Sequence, residues 1–569
     1  MSMARDWEAA AAELEGLRDL WPSEVPRTLE EPIPGGSLID YLQKWSTERP
    51  DTVAIHFYGR DITYAELDRS SAAFAGWLRS QGIGQGDRVG VYLPNCPQFT
   101  IAFLGILRLN AVHVPINPMF KTQELAYEVR DAGVSALLAL PDFAPQIDAV
   151  RDEVRADLGT DFTVAYTQLG DMLETEAAPP APFGPVDPHL PSDWAGIVAH
   201  APADPATVDP HALAALNYTG GTTGMPKGCE HTQAHMVYTG LSALAGQGRT
   251  PGTGREAALG FLPMFWIAGE NLSLLVPIVD GSTVVMMTRW NPRAALHLIE
   301  AQAVTFMVGP ADNYVELMEL PEFTPASTAS LRTCNAVSFV RKLDPELRAQ
   351  WLDATGVTLR EASYGMTETH TSDTFVLGLG IDDQDLRSEP VYCGYPVPGT
   401  SIVVVDPDLH PVPVGTAGQI LVYSPSLLTA YFNKPEATRD TLVDGWLLTG
   451  DTGRFDEHGA LTYLARTKEM IKVNGMSVFP SEVESFIRAH ESVERVAVAP
   501  RDDAATGQKP VAFIELRDGT NTSSDEIHEW AGEQMAGYKV PEVVIVDSMP
   551  MTATGKIRKM ELIQGLTRV

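Results

Sequence analysis

From Gly86 onward the chain alternates strand and helix, and that alternation narrows the choice of fold more than any other feature. "GDRVGVYLPN" reads as a strand, "CPQFTIAFLGILRLNA" as a helix, "VHVPINP" as a strand, "KTQELAYEVRDAG" as a helix and "VSALLAL" as a strand. Parallel strands need a long crossover, usually a helix, so the pattern implies β-α-β units. It returns downstream in "STVVMMT", "NPRAALHLIEAQA", "VTFMVGP", "ADNYVELMEL", "LRTCNAV", "DPELRAQWLDATG" and "VTLREASYG". Two similar α/β layers are the simplest arrangement. The 569 residues exceed the roughly 250–300 at which a single core stops growing, so further domains are expected.

Between the layers nine prolines fall from Pro179 to Pro210, which reads as a surface excursion rather than a core element. From about Thr400 to Thr462 short strands with turns ("SIVVVDPDLHPVPVGTAGQILVYS") suggest a small β-barrel or sheet. The tail carries strands in "VAFIEL" and "VVIVDS" and a helix in "SDEIHEWAGEQM". The expected division is an N-terminal domain over 1–466 and a C-terminal α+β domain over 467–569.

Charge excludes some functions. The net charge is −33, whereas a nucleic-acid binder carries a basic footprint. Any site for an anion must therefore be cationic locally. The four cysteines, Cys96, Cys229, Cys334 and Cys393, form no CxxC pair, which suits a reducing, cytoplasmic setting. The N-terminal "MSMARDWEAAAAELEGLRDLW" lacks an apolar h-region, and no run approaches the roughly 18 apolar residues of a membrane span.

The densest knot of small and hydroxylated residues is "YTGGTTGMPKG", Tyr218 to Gly228, at the end of the apolar run "ALAAL". Glycines let backbone N–H groups turn toward an anion, threonines add donors and Lys227 adds charge. A phosphate cradle is one reading, an empty glycine loop the other. The loop is not a Walker A motif, because Pro226 precedes the lysine and Gly228 replaces the hydroxyl residue that would reach Mg2+.

Three further segments bear on the choice. "YGMTETH" (Tyr364–His370) follows a strand, where an α/β ligand crevice lies. There Tyr364 can stack on a base, Thr367 can donate to a phosphate and Glu368 can hold Mg2+ through oxygen; a strand-end turn with a solvated glutamate is the plain alternative. In "GWLLTGDTGRFDEHGALTYLARTKEMIKVNG" (Gly445–Gly475), Asp451 is expected in a tight Gly-Asp turn, able to accept both ribose hydroxyls, with Arg466 in reach of the same sugar or the phosphates. The alternative is a surface ion pair worth under about 1 kcal/mol. Lys556, in "TATGKIRK", taken alone is a solvated tail lysine.

Together, in this order, the four motifs resemble those of the adenylate-forming superfamily: acyl-CoA synthetases, peptide-synthetase adenylation domains and beetle luciferases. The resemblance runs from about Ile62 to Lys556. It implies a large N-terminal domain of two α/β layers plus a small β-barrel, and a mobile C-terminal lid. It also implies roles for matching positions. Thr219, Gly220, Gly221, Thr222, Thr223, Gly224 and Lys227 would grip the β- and γ-phosphates of ATP. Tyr364, with Gly365 and Met366, would pack on adenine, Thr367 would contact the α-phosphate and Glu368 would bind Mg2+. Asp451 would hold the ribose with Arg466 nearby. Lys556 would bridge the acid carboxylate and the α-phosphate. Lys468 matches the hinge, and Lys472, Asn474 and Gly475 would line the channel for coenzyme A. Trp266, Asn271, Asn335 and Gly365 would border the acid pocket.

The chain departs from the commonest family pattern in places. Trp266 stands where many relatives carry histidine, and reads as a gate of the acid pocket or as a core tryptophan. "TCNAVSFVRK" brings Asn335 and Val337 where smaller residues are frequent, and Gln419 replaces a frequent glutamate. The leading expectation is an AMP-forming carboxylic acid:CoA ligase acting on a medium or long fatty acid, or on a bulky alicyclic or aromatic acid, with ATP, Mg2+ and coenzyme A, and a homodimer as the candidate assembly. The alternatives are a stand-alone adenylation enzyme loading a carrier protein, a luciferase-type oxygenase and a non-enzymatic nucleotide sensor.

Overall fold

A computed structural model describes residues 3–158, 161–173, 181–184, 186–203, 207–219, 225–254, 256–338, 342–370, 373–378, 383–387, 391–466, 469–473, 476–503, 506–535, 537–551 and 557–566. Both strand–helix runs fold as the alternation predicts. The first supplies a six-stranded sheet in the order Thr163–Tyr166, Val134–Ala139, Arg88–Tyr92, Val112–Pro115, Leu213–Tyr218, Gly228–Thr232. Its strands run parallel except for the last, which returns antiparallel to Leu213–Tyr218. The second run supplies a seven-stranded sheet that places Phe306–Pro310, Thr333–Val337 and Leu359–Glu361 side by side and parallel.

One contiguous apolar core draws side chains from both sheets. The helix Pro97–Leu107 is buried along its whole length within it, which is why its sequence is apolar on every face. Phe99 and Phe103 on this helix are fully buried, and each such side chain contributes about 1.5–3 kcal/mol relative to exposure. Local chemistry sets the helix ends. Asp344 accepts the backbone N–H of Leu347 at 2.8 Å and Pro345 opens the helix Pro345–Thr355. Gly356 closes it with a left-handed φ of 74°.

The proline-rich connection is not wholly on the surface. Trp194 and Ile197 are buried in the main core, and Phe183 stacks on Phe57 at 6.0 Å between ring centroids. Trp194 and Ile197 stand three apart on the short helix Trp194–Val198, enough to dock a segment that otherwise has little apolar periodicity.

The segment expected as a small β-barrel or sheet forms a curled antiparallel sheet, in the order Thr374–Phe375, Val391–Pro396, Leu461–Arg466, Trp446–Phe455, Gly418–Tyr423, Ser401–Val405. The N-terminal helix Met3–Glu15 packs on it through Trp7, whose indole donates to the Leu409 carbonyl at 2.9 Å. The tail has its own core, built on the long antiparallel pair Val493–Asp503 and Gly507–Leu516 and including Val483, Ile487 and Ile527. It touches the rest of the chain where Ser481 donates to the Leu464 carbonyl and Lys342 donates to Ser485 at 3.1 Å.

Candidate active site

In open α/β sheets, ligands bind beyond the carboxyl ends of the strands. Here the strand Leu213–Tyr218 ends at such an edge, and the chain returns as Lys227 and the strand Gly228–Thr232. The neck of the intervening loop is closed by two bonds: Thr219 N–H donates to the Lys227 carbonyl at 3.0 Å, and Lys227 N–H donates to the Thr219 hydroxyl at 3.2 Å. The hydroxyl of Tyr218 donates to Asp131 at 2.9 Å, that of Tyr127 donates to the Pro226 carbonyl at 2.6 Å, and Lys434 pairs with Asp131. Gly220, Gly221, Thr222, Thr223 and Gly224 lie outside the described residues.

Among the described residues Lys227 makes no ion pair. Its ammonium instead lies 4.0 Å from the ring centroid of Tyr431. The hydroxyl of the same tyrosine donates to Glu368 Oε1 at 2.8 Å. Tyr431 therefore joins Lys227, at the end of the glycine-rich segment, to the carboxylate of "YGMTETH". It is placed by a short strand-like segment between the strands Gly418–Tyr423 and Trp446–Phe455: Phe432 N–H donates to the Gly228 carbonyl at 2.8 Å, and Glu230 N–H to the Ala430 carbonyl at 2.9 Å. Sequence reading missed Tyr431, because nothing in "TAYFNKP" marks it until the fold lays it beside Gly228.

Thr367 opens a single 3₁₀ turn, Thr367–Thr369, directly before His370. The Thr367 carbonyl accepts from His231 Nε2 at 2.9 Å, and Leu428 N–H donates to the Glu368 carbonyl at 2.8 Å. The turn that carries Thr367 and Glu368 is thus held at its carbonyls by an imidazole and a backbone N–H from two separate elements.

Asp451 is not in a turn, as the Gly-Asp pair suggested. It lies within the strand Trp446–Phe455, at an irregularity where the register against Gly418–Tyr423 shifts between Gln419 and Leu421. Gly450 takes a φ of 69° there, a left-handed conformation that glycine tolerates. Asp451 faces Arg466 across the antiparallel pair, with Arg466 Nε 2.9 Å from Asp451 Oδ1, while the Tyr364 hydroxyl donates to Oδ2 at 2.7 Å. Asp451 is only 2% exposed, whereas the Arg466 side chain is 48% exposed, so a buried carboxylate meets a guanidinium that reaches solvent. Burial raises its carboxyl above the ordinary range, and Arg466 opposes the rise.

The strand Leu359–Glu361 that leads into Tyr364 ends on another buried carboxylate. Glu361 accepts from the Ser338 N–H at 3.2 Å and from the Ser338 hydroxyl at 2.5 Å. Burial, opposed by these bonds, raises its carboxyl from 4.5 to about 7. The folded-state value lies above the unfolded one, so the stability contribution is complete below about pH 4.5 and is lost as pH rises through about 7. Glu361→Gln should melt close to wild type near about pH 4.5 and increasingly above it toward about pH 8, by up to about 3 kcal/mol of relative stability. Melting temperatures across that range check this; a difference independent of pH would contradict it.

Of the expected acid-pocket residues, Trp266 is half-buried at the N-cap of the short helix Ile267–Glu270, with its ring 5.1 Å from that of Phe265. Asn271, 1% exposed, opens the next turn. Asn335 sits mid-strand in Thr333–Val337, its carbonyl accepting from the Tyr314 hydroxyl at 2.7 Å. Gly365 lies between Tyr364 and the Thr367 turn. Lys472 lies on the strand Ile471–Val473. Lys468, Asn474, Gly475 and Lys556 lie outside the described residues.

A magnesium ion fits this donor set. Mg2+ is commonly held by one or two carboxylates together with substrate phosphates, and the described residues contain no group of three or more histidine, cysteine or acidic side chains that would make a complete protein cage. Glu368, whose Oε1 accepts from Tyr431, offers oxygen of the hard kind that such an ion takes. No helix among the described residues is long and apolar enough to cross a membrane.

Comparison with known proteins agrees with this geometry. The family described as AMP-binding enzyme matches residues 42–432, and the AMP-binding enzyme C-terminal domain matches residues 482–556. A long-chain-fatty-acid–CoA ligase of Bacillus subtilis is 29% identical over 569 residues, covering 96% of this chain and 97% of that protein. A feruloyl-CoA synthase of an Amycolatopsis species is 30% identical, covering 92% and 98%. The crystal structure of ATP-bound MatB from Rhodopseudomonas palustris superposes with a TM-score of 0.78 at 25% identity, covering 93% of this chain and 98% of that one.

Proposed function

The chain belongs to the AMP-binding enzyme family, and we propose the following division of labour for its residues. It is an AMP-forming carboxylic acid:CoA ligase that uses ATP, Mg2+ and coenzyme A. The acid carboxylate attacks the α-phosphorus of ATP, releasing pyrophosphate; the coenzyme A thiol then attacks the acyl carbonyl and expels AMP. The substrate class is a medium or long fatty acid or a bulky aromatic or alicyclic acid, in keeping with relatives named for fatty-acyl and feruloyl substrates.

The observation that carries the residue assignments is the Lys227–Tyr431–Glu368 chain, set beside the Tyr364–Asp451–Arg466 group at the strand ends. Lys227 and the loop from Thr219 to Gly224 hold the β- and γ-phosphates. Thr367 donates to the α-phosphate. Tyr364, Gly365 and Met366 flank adenine, and Asp451 with Arg466 holds the ribose. Glu368 is the ligand of a magnesium ion, which when bound neutralises phosphate charge. Lys556 brings the cation that two reacting anions require. The boundary between an N-terminal domain over 1–466 and a lid over 467–569 falls at the pivot Lys468, and Lys472, Asn474 and Gly475 line the thiol's path after the lid turns. The working form is a cytoplasmic homodimer, a reading in keeping with four buried, unpaired thiols as regards the compartment; light scattering checks the dimer.

Trp266, Asn271, Asn335 and Gly365 border the acid pocket. Trp266→Ala should shift preference toward bulkier acids with ATP affinity nearly unchanged, once melting confirms the fold. An unaltered acid profile in a folded variant would remove Trp266 from the pocket. The assignment as a whole is tested by a panel of acids assayed for AMP, with coenzyme A or a carrier protein as acceptor. Coenzyme A-dependent AMP formation on fatty or aromatic acids supports it; transfer to the carrier alone contradicts it.

A further inference from the structure

Where the strand Leu213–Tyr218, the helix Ile267–Glu270 and the Thr367 turn meet lies a buried polar seam that the reading above leaves unused. Glu270 and His370 are both fully buried, and Asn217 is 3% exposed. Asn217 Nδ2 donates to Glu270 Oε2 at 2.7 Å, and His370 Nε2 lies 3.4 Å from Glu270 Oε1. The His370 ring meets that of His231 edge to face at 4.4 Å, and His231 donates to the Thr367 carbonyl. A buried carboxylate is costly unless paired, so a carboxylate in this place calls for an explanation.

Each member belongs to a different part of the site. Asn217 is two residues before Thr219 on the strand that launches the phosphate loop. Glu270 ends the short helix that begins after Trp266. His370 follows the Thr367–Thr369 turn and holds a φ of 59°, a left-handed conformation uncommon for any residue but glycine. Such strain persists only where the surroundings enforce it, and it gathers at functional sites. The five residues after Glu270, Asn271–Leu275, form a π-helix, a rare irregularity also found mostly at functional sites. Among the described residues, neither ring nitrogen of His370 nor Oε1 of Glu270 makes a hydrogen bond, and the two groups face each other across 3.4 Å. The groups that surround the seam are His113, on the strand Val112–Pro115, and His231 and His235, on or beside the strand Gly228–Thr232; burial lowers all three below the ordinary histidine range.

We propose that Glu270 is a positioning residue for acyl-adenylate formation: by accepting from Asn217 at one oxygen and setting the other against His370 Nε2 at 3.4 Å, it fixes the Thr367–Glu368 turn relative to the strand Leu213–Tyr218. The proposal rests on the ligase reading above. Adenylation depends on placing the α-phosphate against the acid, so a displacement of about 1 Å in the supporting shell costs about 10²-fold in rate. Transfer to coenzyme A makes a smaller demand on this turn, because the β- and γ-phosphates have already left.

The test uses Glu270→Gln, His370→Asn and the double variant in the full-length protein. A carboxylate accepts at both oxygens and an amide at one, so Glu270→Gln keeps the volume and gives up one of the two contacts. Four quantities are measured: melting temperature, calorimetric affinity for ATP with magnesium, single-turnover pyrophosphate release with the KM for acid, and thioester formation from a pre-formed acyl-adenylate. In Glu270→Gln, pyrophosphate release should fall by about 10–10²-fold, ATP should bind more weakly, and the KM for acid and the thioester step should stay near wild type. The double variant should be no slower than the slower single one, since both remove the same contact. Wild-type pyrophosphate release reports on the ligase reading itself, and the ratio of variant to wild type reports on Glu270. Unchanged ATP affinity and release in Glu270→Gln would overturn the proposal. So would a lowered melting temperature with a wild-type rate per folded molecule, or losses that multiply in the double variant.

Discussion

Replacing Lys556 with alanine is expected to abolish acyl-adenylate formation from the free acid while sparing thioester formation from a supplied acyl-adenylate. The reason is electrostatic. The first half-reaction brings a carboxylate onto a triphosphate in a protein whose net charge is −33. Among the described cations near the site, Arg466 is already paired with Asp451, and Lys434 with Asp131. Lys227 lies over Tyr431. A further cation must meet the reacting oxygens, and losing such a contact costs about 10²–10³ in rate. The second half-reaction expels AMP from a neutral carbonyl carbon and does not bring two anions together. Equal losses in the two single-turnover assays would remove Lys556 from the role.

A loss of similar size is expected for Glu368→Gln. Tyr431 donates to Oε1 of Glu368, which leaves the second oxygen of this carboxylate for a hard cation. An amide keeps the shape and discards the charge. Metal-borne charge stabilisation is worth several kcal/mol, so adenylation should slow by about 10²–10³-fold. The magnesium concentration for half-maximal rate should rise as well, and thioester formation from the adenylate should again be spared. A magnesium dependence identical to wild type would assign Glu368 to the fold rather than to the metal.

The parts of the molecule legible in the sequence are those specified locally. Strand–helix alternation placed the parallel centre of the two large sheets but not strands such as Val53–Phe57, Thr163–Tyr166 and Ala257–Gly260, because burial of both sheet faces imposes long apolar runs with helices between them. The motifs around Lys227, Glu368, Asp451 and Lys556 stood out because chemistry on phosphates demands unusual residues in short stretches. Contacts made at a distance were not legible. Tyr431 reaches the site only when its segment lies along Gly228. The irregularity that carries Asp451 depends on a register shift against a strand about thirty residues earlier, so "TGD" read as a turn. Trp194 and Ile197 were hidden by surrounding prolines. The pairing of Asn217, Glu270 and His370 spans three separate segments, and none of the three is remarkable in its own neighbourhood.

The central claim, activation of a carboxylic acid through its adenylate for transfer to coenzyme A, is tested most directly by product stoichiometry. The enzyme is incubated with ATP, magnesium, coenzyme A and one accepted fatty or aromatic acid, and AMP, pyrophosphate and acyl-CoA are measured together. The account predicts one of each per acid consumed, and acyl-adenylate with pyrophosphate when coenzyme A is withheld. ADP with phosphate in place of AMP with pyrophosphate, or AMP formed without any thioester when coenzyme A is present, would contradict it.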